Sequence, residues 1–146
     1  MKSAVAYRTN GTLVLAPVVR TTTGLGLEVD PKCLGATPDE AIVAQALAQA
    51  LTQSDRIVPH PAQQEWKGFF QPFLEASGVR SHKAFMANAQ RVSIRLIDDR
   101  LKLTPQRNLG SKEGFEPIPD QAVLLSENDW SGAAATLVRL LDPPPT

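Results

Sequence analysis

Two histidines, one cysteine and a closely spaced pair of glycines are the residues of this chain whose chemistry could go beyond packing. Metal or acid–base work needs convergent groups, but His60 and His82 stand in different segments, neither in an HxxxH pattern nor beside a carboxylate at helical spacing. His60, between Pro59 and Pro61, reads as an exposed helix-entry residue, and His82 as a partly exposed turn position. Cys33 has no base or cationic helix end near it in sequence, so it reads as a buried or half-buried structural thiol rather than a nucleophile. No serine stands in a GxSxG elbow, and Gly24-Leu25-Gly26 is a lone GxG, better suited to a bend between strands than to a phosphate cradle. These residues point to a protein that is not an enzyme, with no cofactor, no metal and no small-molecule substrate.

Charge is more informative than any nucleophile. Fifteen Lys and Arg balance fifteen Asp and Glu, which argues against a global field for a polyanion or a membrane surface. The balance is local, however. Arg80, Lys83, Arg91, Arg95, Arg100, Lys102, Arg107 and Lys112 form a basic stretch broken only by Asp98 and Asp99. From Glu113 the sign reverses, and Glu116, Asp120, Glu127, Asp129 and Asp142 follow with only Arg139 against them. A strand face carrying Arg91, Arg95, Arg100 and Lys102 suits phosphate, which makes a nucleic-acid-binding regulator the second reading. That face lacks the interleaved aromatics that stack bases.

The elements that position these charges follow from periodicity. Residues 3–8 and 12–20 are strand-like and flank Asn10-Gly11, a pair suited to the positive φ of a type I′ turn. Leu25, Leu27 and Val29 alternate as a third short strand. Thr37-Pro38-Asp39-Glu40 provides a capping hydroxyl at Thr37, a first-turn proline and a Glu three residues after the cap, so a helix is expected from there to Ser54, with Val43, Leu47, Ala50 and Leu51 on one face. Trp66, Phe69, Phe70, Phe73 and Leu74 continue at helical spacing toward Gly78, with a kink or break at Pro72. Packing in the core is the plain reading of these aromatics. A short helical turn at 81–88 precedes Val92, Ile94 and Leu96, which alternate with Arg91, Ser93 and Arg95 as a half-buried strand. Asp98-Asp99 forms the turn to an antiparallel partner with Leu101 and Leu103 inward, ending at Pro105. Residues 106–119 read as a polar loop, 121–125 as a strand, and Ser126-Glu127-Asn128-Asp129 as the cap of a last helix bearing Trp130, Ala134, Leu137, Val138 and Leu141.

The expected fold is therefore α/β of the α+β kind: residues 1–142 as one domain, mainly an antiparallel sheet of about five or six strands packed with three or four helices. Residues 143–146, Pro-rich, are expected to be a disordered tail. A lone cysteine excludes an internal disulfide and suits a reducing cytoplasm, and no apolar run is long enough for a signal peptide or a membrane span. A cytoplasmic location away from membranes is expected.

The segment Ser77-Gly78-Val79-Arg80-Ser81-His82-Lys83-Ala84-Phe85-Met86-Ala87-Asn88, followed by the 91–105 hairpin, resembles a family of contact-dependent growth inhibition (CDI) immunity proteins, the CdiI type. The order of parts is similar over most of residues 10–142: amino-terminal strands, a helix with a small-acidic start as at 37–40, a Trp as at Trp66, and a Gly-x-basic-Ser turn. A hairpin ending in Pro, a polar loop, and a closing strand and helix complete the likeness. The chain departs from it at Val79, where an aromatic is expected, and in residues 107–116, which lack the His and Trp of relatives. The resemblance implies a cytosolic protein that forms a heterodimer with the carboxyl-terminal toxin domain of a cognate exoprotein, commonly a nuclease; direct nucleic-acid binding is not expected, because the basic face lacks stacking aromatics. It also implies a blocking surface, for which Asp98, Asp99, Glu113, Glu116 and Asp120 are the expected contacts, because a hairpin tip and a polar loop reach into a basic groove. The basic face of Arg91, Arg95, Arg100 and Lys102 stands as the alternative, meeting an acidic patch.

Overall fold

The computed structural model describes residues 2–141, the side chains of Trp66 and Lys67 excepted. The Pro-rich tail, Asp142, and the packing expected of the Trp66 ring lie outside the described residues.

Strands β1 (Ser3–Thr9) and β2 (Thr12–Thr21) form the first hairpin, with Asn10 at φ 50° and Gly11 at φ 68° in its turn. Its residues are buried on both faces. Ala4, Ala6, Leu13 and Leu15 enter one core while Val5, Tyr7, Val14 and Ala16 enter another, so the pair reads as an almost unbroken apolar run rather than a clean alternation. Strand β2 is long enough to take three further partners: β3 (Gly26–Glu28) and β4 (Lys32–Gly35), both antiparallel, and β5 (Ile57–Val58), parallel. β4 and β5 were not expected, because two to four residues are too few to show a period.

On the other side of β1 lies β6 (Gln90–Ile97), then β7 (Arg100–Asn108), then β8 (Phe115–Pro117), so the main path is β3-β2-β1-β6-β7-β8, with β9 (Val123–Ser126) also on β7. Six strands lie along this path and β4, β5 and β9 join beside it; β8 falls where a polar loop is expected, and the strand expected at 121–125 is β9. The β6–β7 turn places Asp98 at φ 49° and Asp99 at φ 61°. β7 does not stop at Pro105 but runs three residues further, and much of the expected polar loop is strand. Pro105 is tolerated because its carbonyl accepts from the Ile118 backbone N–H on the β8–β9 side. Its missing N–H therefore points to the gap where one partner strand ends and the other begins, and no ladder bond is lost. The loop that remains, 109–114, is tight: the Leu109 N–H donates to the Gly114 carbonyl at 2.8 Å.

Helices α1 (Glu40–Gln53) and α4 (Trp130–Leu141) cover one face of the sheet. Val43, Leu47 and Leu51 of α1 meet Leu137 and Leu141 of α4 over Leu13, Val92, Ile94, Leu101 and Leu103, all 2% exposed or less. Each such side chain contributes roughly 1.5–3 kcal/mol on burial. α4 is capped as expected, the Asp129 Oδ1 accepting from the Gly132 N–H at 3.0 Å. α1 begins later than expected, after an extended Asp39 and without a side-chain cap, and Glu40 accepts from the Ser131 hydroxyl of α4.

Half of the opposite face is covered by α2 (Gln71–Ser77) and α3 (His82–Met86). The aromatic segment is not one kinked helix. A 3-10 turn, Gln63–Gly68, ends before α2 starts, so Pro72 falls in the first turn of α2, where a missing N–H costs nothing. Gly78 closes α2 at φ 77° and the Ser81 hydroxyl caps α3. Among the described residues no helix is long and apolar enough to cross a membrane.

Candidate functional site

The described residues show no clustered nucleophile and base. His60 is exposed before the 3-10 turn, its Nδ1 3.0 Å from the Thr23 hydroxyl, and His82 lies edge-on to the Phe70 ring at 4.9 Å. Cys33 is exposed, which corrects the expectation of a buried thiol: it sits on β4, at the sheet margin, with Sγ 3.2 Å from the Thr12 hydroxyl. Among the described residues no three His, Cys, Asp or Glu side chains come together as metal ligands do.

The polar centre of the molecule lies elsewhere, around Tyr7. The period-two geometry of β1 turns its ring inward among Phe73, Phe85 and Phe115, at centroid distances of 5.9, 5.1 and 5.9 Å. Its hydroxyl donates a hydrogen bond to Glu28 of β3 and accepts from Arg91 Nε of β6 at 3.1 Å. Arg91 closes the triangle with an ion pair to Glu28 at 3.3 Å and also donates to Gln106 of β7. The guanidinium lies 5.6 Å from the Tyr7 ring centroid and 5.7 Å from that of Phe115, within cation–π range of both. Burial, followed by the Glu28 carboxylate, pushes the Tyr7 phenol far above its ordinary range. Burial alone would lower Arg91, but Tyr7 and Glu28 outweigh it and hold the guanidinium charged. A phenol that stays protonated and a cation already shared among four partners have no free chemistry to offer. They tie β1, β3, β6, β7 and, through Phe115, β8 into one unit beside a cleft of about 350 Å³. Tyr7, Glu28, Gln106 and Phe115 were missed in the sequence. The available signal was Tyr7 itself, the chain's one tyrosine, following Ala4, Val5 and Ala6 in a strand with two-residue alternation.

The five carboxylates expected as contacts do not form one patch. Asp98 and Asp99 stand exposed at the β6–β7 tip, beside Glu127, whose N–H donates to the Asp99 carbonyl. Glu113 is exposed in the turn at the far end of the nine-residue β7, which as an extended strand spans about 26 Å. Glu116 of β8 pairs with Arg107 at 3.7 Å, both more than half exposed, and Asp120 is exposed in the 3-10 turn Pro119–Gln121 along the same edge. The four basic residues also divide. Arg91 is enclosed in the Tyr7 network, with 18% of its side chain exposed. Arg95, Arg100 and Lys102 stand on the part of the sheet that α2 and α3 leave open, and Arg95 is directly opposite Lys102 across the β6–β7 pair.

An α+β architecture of this kind, a curled antiparallel sheet with helices on one face and half of the other, is shared with solved structures. A protein of unknown function from Neisseria meningitidis is similar at a TM-score of 0.76 and 17% identity, over 96% of this chain and 92% of that one. A CdiA-CT/CdiI toxin and immunity complex from Yersinia pseudotuberculosis is similar at a TM-score of 0.75 and 11% identity, over 96% of this chain and 94% of that one. No curated protein matches significantly in sequence. The family model described as CdiI, CDI immunity protein, matches residues 19–132. The chain belongs to the CDI immunity protein family.

Proposed function

We propose that this protein protects the cell that makes it by binding, one to one in the cytoplasm, the carboxyl-terminal toxin domain of a cognate CDI exoprotein, and that it does so by occupation rather than catalysis. The family match over residues 19–132 carries this reading. The similar fold in a solved toxin and immunity complex supports it.

The toxin is read as a nuclease. A domain that holds RNA or DNA has a basic cleft, and the β6–β7 tip projects the kind of group such a cleft takes. Both tip residues, Asp98 and Asp99, are left-handed, a conformation that favours Asn-Gly and that the β1–β2 turn fills with Asn10-Gly11. The carboxylates are thus kept at a site where the backbone alone would choose other residues. Glu113, Glu116 and Asp120, on the β7–β8 side away from the tip, would make a separate acidic contact.

Co-expression is the direct test. The chain is expected to restore growth to cells expressing the toxin domain encoded beside it, and to co-purify with that domain at a Kd on the order of nanomolar or below, as a lethal partner requires. Absence of both rescue and co-purification would refute the reading.

A further inference from the structure

We propose that the open half of the sheet's second face, carrying Arg95, Arg100 and Lys102, is a second docking surface that receives carboxylates from an acidic shoulder of the toxin domain; this rests on the reading above. Helices α2 and α3 pack over Val5, Tyr7, Val14 and Ala16 of the β1–β2 hairpin and leave the β6–β7–β9 end of the same face uncovered. There the register sets Arg95 opposite Lys102, and Lys102 opposite Leu124, which is 54% exposed. Like charges directly opposite one another on a sheet repel, and among the described residues none of Arg95, Arg100 and Lys102 makes an ion pair that would offset this.

Arg91 is the internal comparison. It lies on the same face and strand, and where helices cover it the chain supplies Glu28, Tyr7 and Gln106. At the open end the positions of β6, β7 and β9 on this face hold Ser, Thr, Ile, Leu and basic side chains, but no carboxylate. The counter-charges missing from the chain are the natural contribution of a partner. Two features favour a protein surface over a nucleic acid. Leu124 places an exposed apolar side chain beside Lys102, as at a protein interface, and no aromatic on this end of the face is available for base stacking. Asp98 and Asp99, at the margin, would repel a phosphate backbone while entering a basic cleft beside an acidic shoulder.

The experiment compares the wild type with Arg95→Glu/Lys102→Glu and Arg95→Ser/Lys102→Ser, using the purified toxin domain as probe. The Ser pair removes a like-charge pair and is expected to melt at or above the wild-type temperature, while the Glu pair keeps like charges opposite one another and is expected to melt near it, so lost binding by the Ser pair cannot be assigned to misfolding. Kd is expected to rise about 100-fold for the Glu pair and about 10-fold for the Ser pair, with the Glu pair failing to rescue growth. Wild-type binding with the Glu pair within about 3-fold of it would overturn this assignment alone. Failure of the wild type to bind would overturn the proposed function and this assignment together. A shift of RNA or duplex DNA at low salt that the Glu pair abolishes would give the face to nucleic acid and overturn the assignment as well.

Discussion

Tyr7 is expected to stay protonated in the folded protein at a pH where an exposed tyrosine has ionised. Its ring is 4% exposed, and an anion there would lose its hydration and face the Glu28 carboxylate, while Arg91 offsets only part of that cost. The unfolded chain releases the phenolic proton near the ordinary value of 10.0, whereas the folded chain retains it well above that. Above that pH the unfolded state binds fewer protons than the native one, so the stability contributed by this group is complete below pH 10 and falls as pH rises further. The slope is about 1.4 kcal/mol per pH unit until the folded protein itself ionises.

The chain contains one tyrosine, so phenolate absorbance reports this residue without assignment. Titrated natively, the signal should be absent about one unit above the ordinary midpoint and appear in full when urea unfolds the protein at the same pH. Urea midpoints taken across the same range should fall more steeply in the wild type than in Tyr7→Phe, which removes the group and leaves the lysines to titrate alike in both. A native phenolate midpoint near 10, or equal slopes in the two proteins, would refute the account of Tyr7 as a buried donor held between Glu28 and Arg91.

At neutral pH, Tyr7→Phe should cost about 2 kcal/mol in urea unfolding, because Glu28 loses a donor and Arg91 Nε an acceptor while the ring contacts remain. Asp98→Asn/Asp99→Gly should raise stability by about 0.5–1 kcal/mol by relieving two left-handed carboxylate residues, and weaken toxin binding in the same protein; gains in both stability and affinity would remove the tip from the interface. Cys33 should react completely with a thiol reagent in the native state, and protection until unfolding would contradict its place at the sheet margin.

What could be read in advance was set by local rules. The Asn10-Gly11 turn, the alternation of Val92, Ile94 and Leu96, the Asp129 cap and the Gly78 stop each depend on a few neighbouring residues, and each stands where its pattern puts it. The errors came where a distant partner decided. Pro105 ends a strand by its own chemistry, yet the change from β9 to β8 beside it makes its missing N–H harmless and lets β7 continue. Thr37 is not the helix start: Asp39 is still extended, and Glu40 meets Ser131, 91 residues away, rather than Thr37. Cys33 is apolar enough for a core, but β4 is short and marginal and leaves it in solvent.

The same distinction decides how the charges divide. In sequence Arg91 and Arg95 are equivalent, two cations on the same face of one strand. Only the packing of α2 and α3 separates them: under those helices Arg91 needs an anion from within the chain and becomes part of the scaffold, while one turn of the pleat beyond their edge Arg95 is left with Lys102 opposite and no carboxylate to meet it. Burial that requires an internal counter-charge removes a residue from recognition, and exposure that lacks one makes recognition its available role. By that criterion Arg107, paired with Glu116 on the surface, contributes little to either, since an exposed pair of this kind is worth about 0–1 kcal/mol. On the proposed reading, selectivity for a partner would rest on the tip end of the β6–β7 hairpin, where the carboxylates of Asp98 and Asp99 adjoin the cations of Arg95, Arg100 and Lys102.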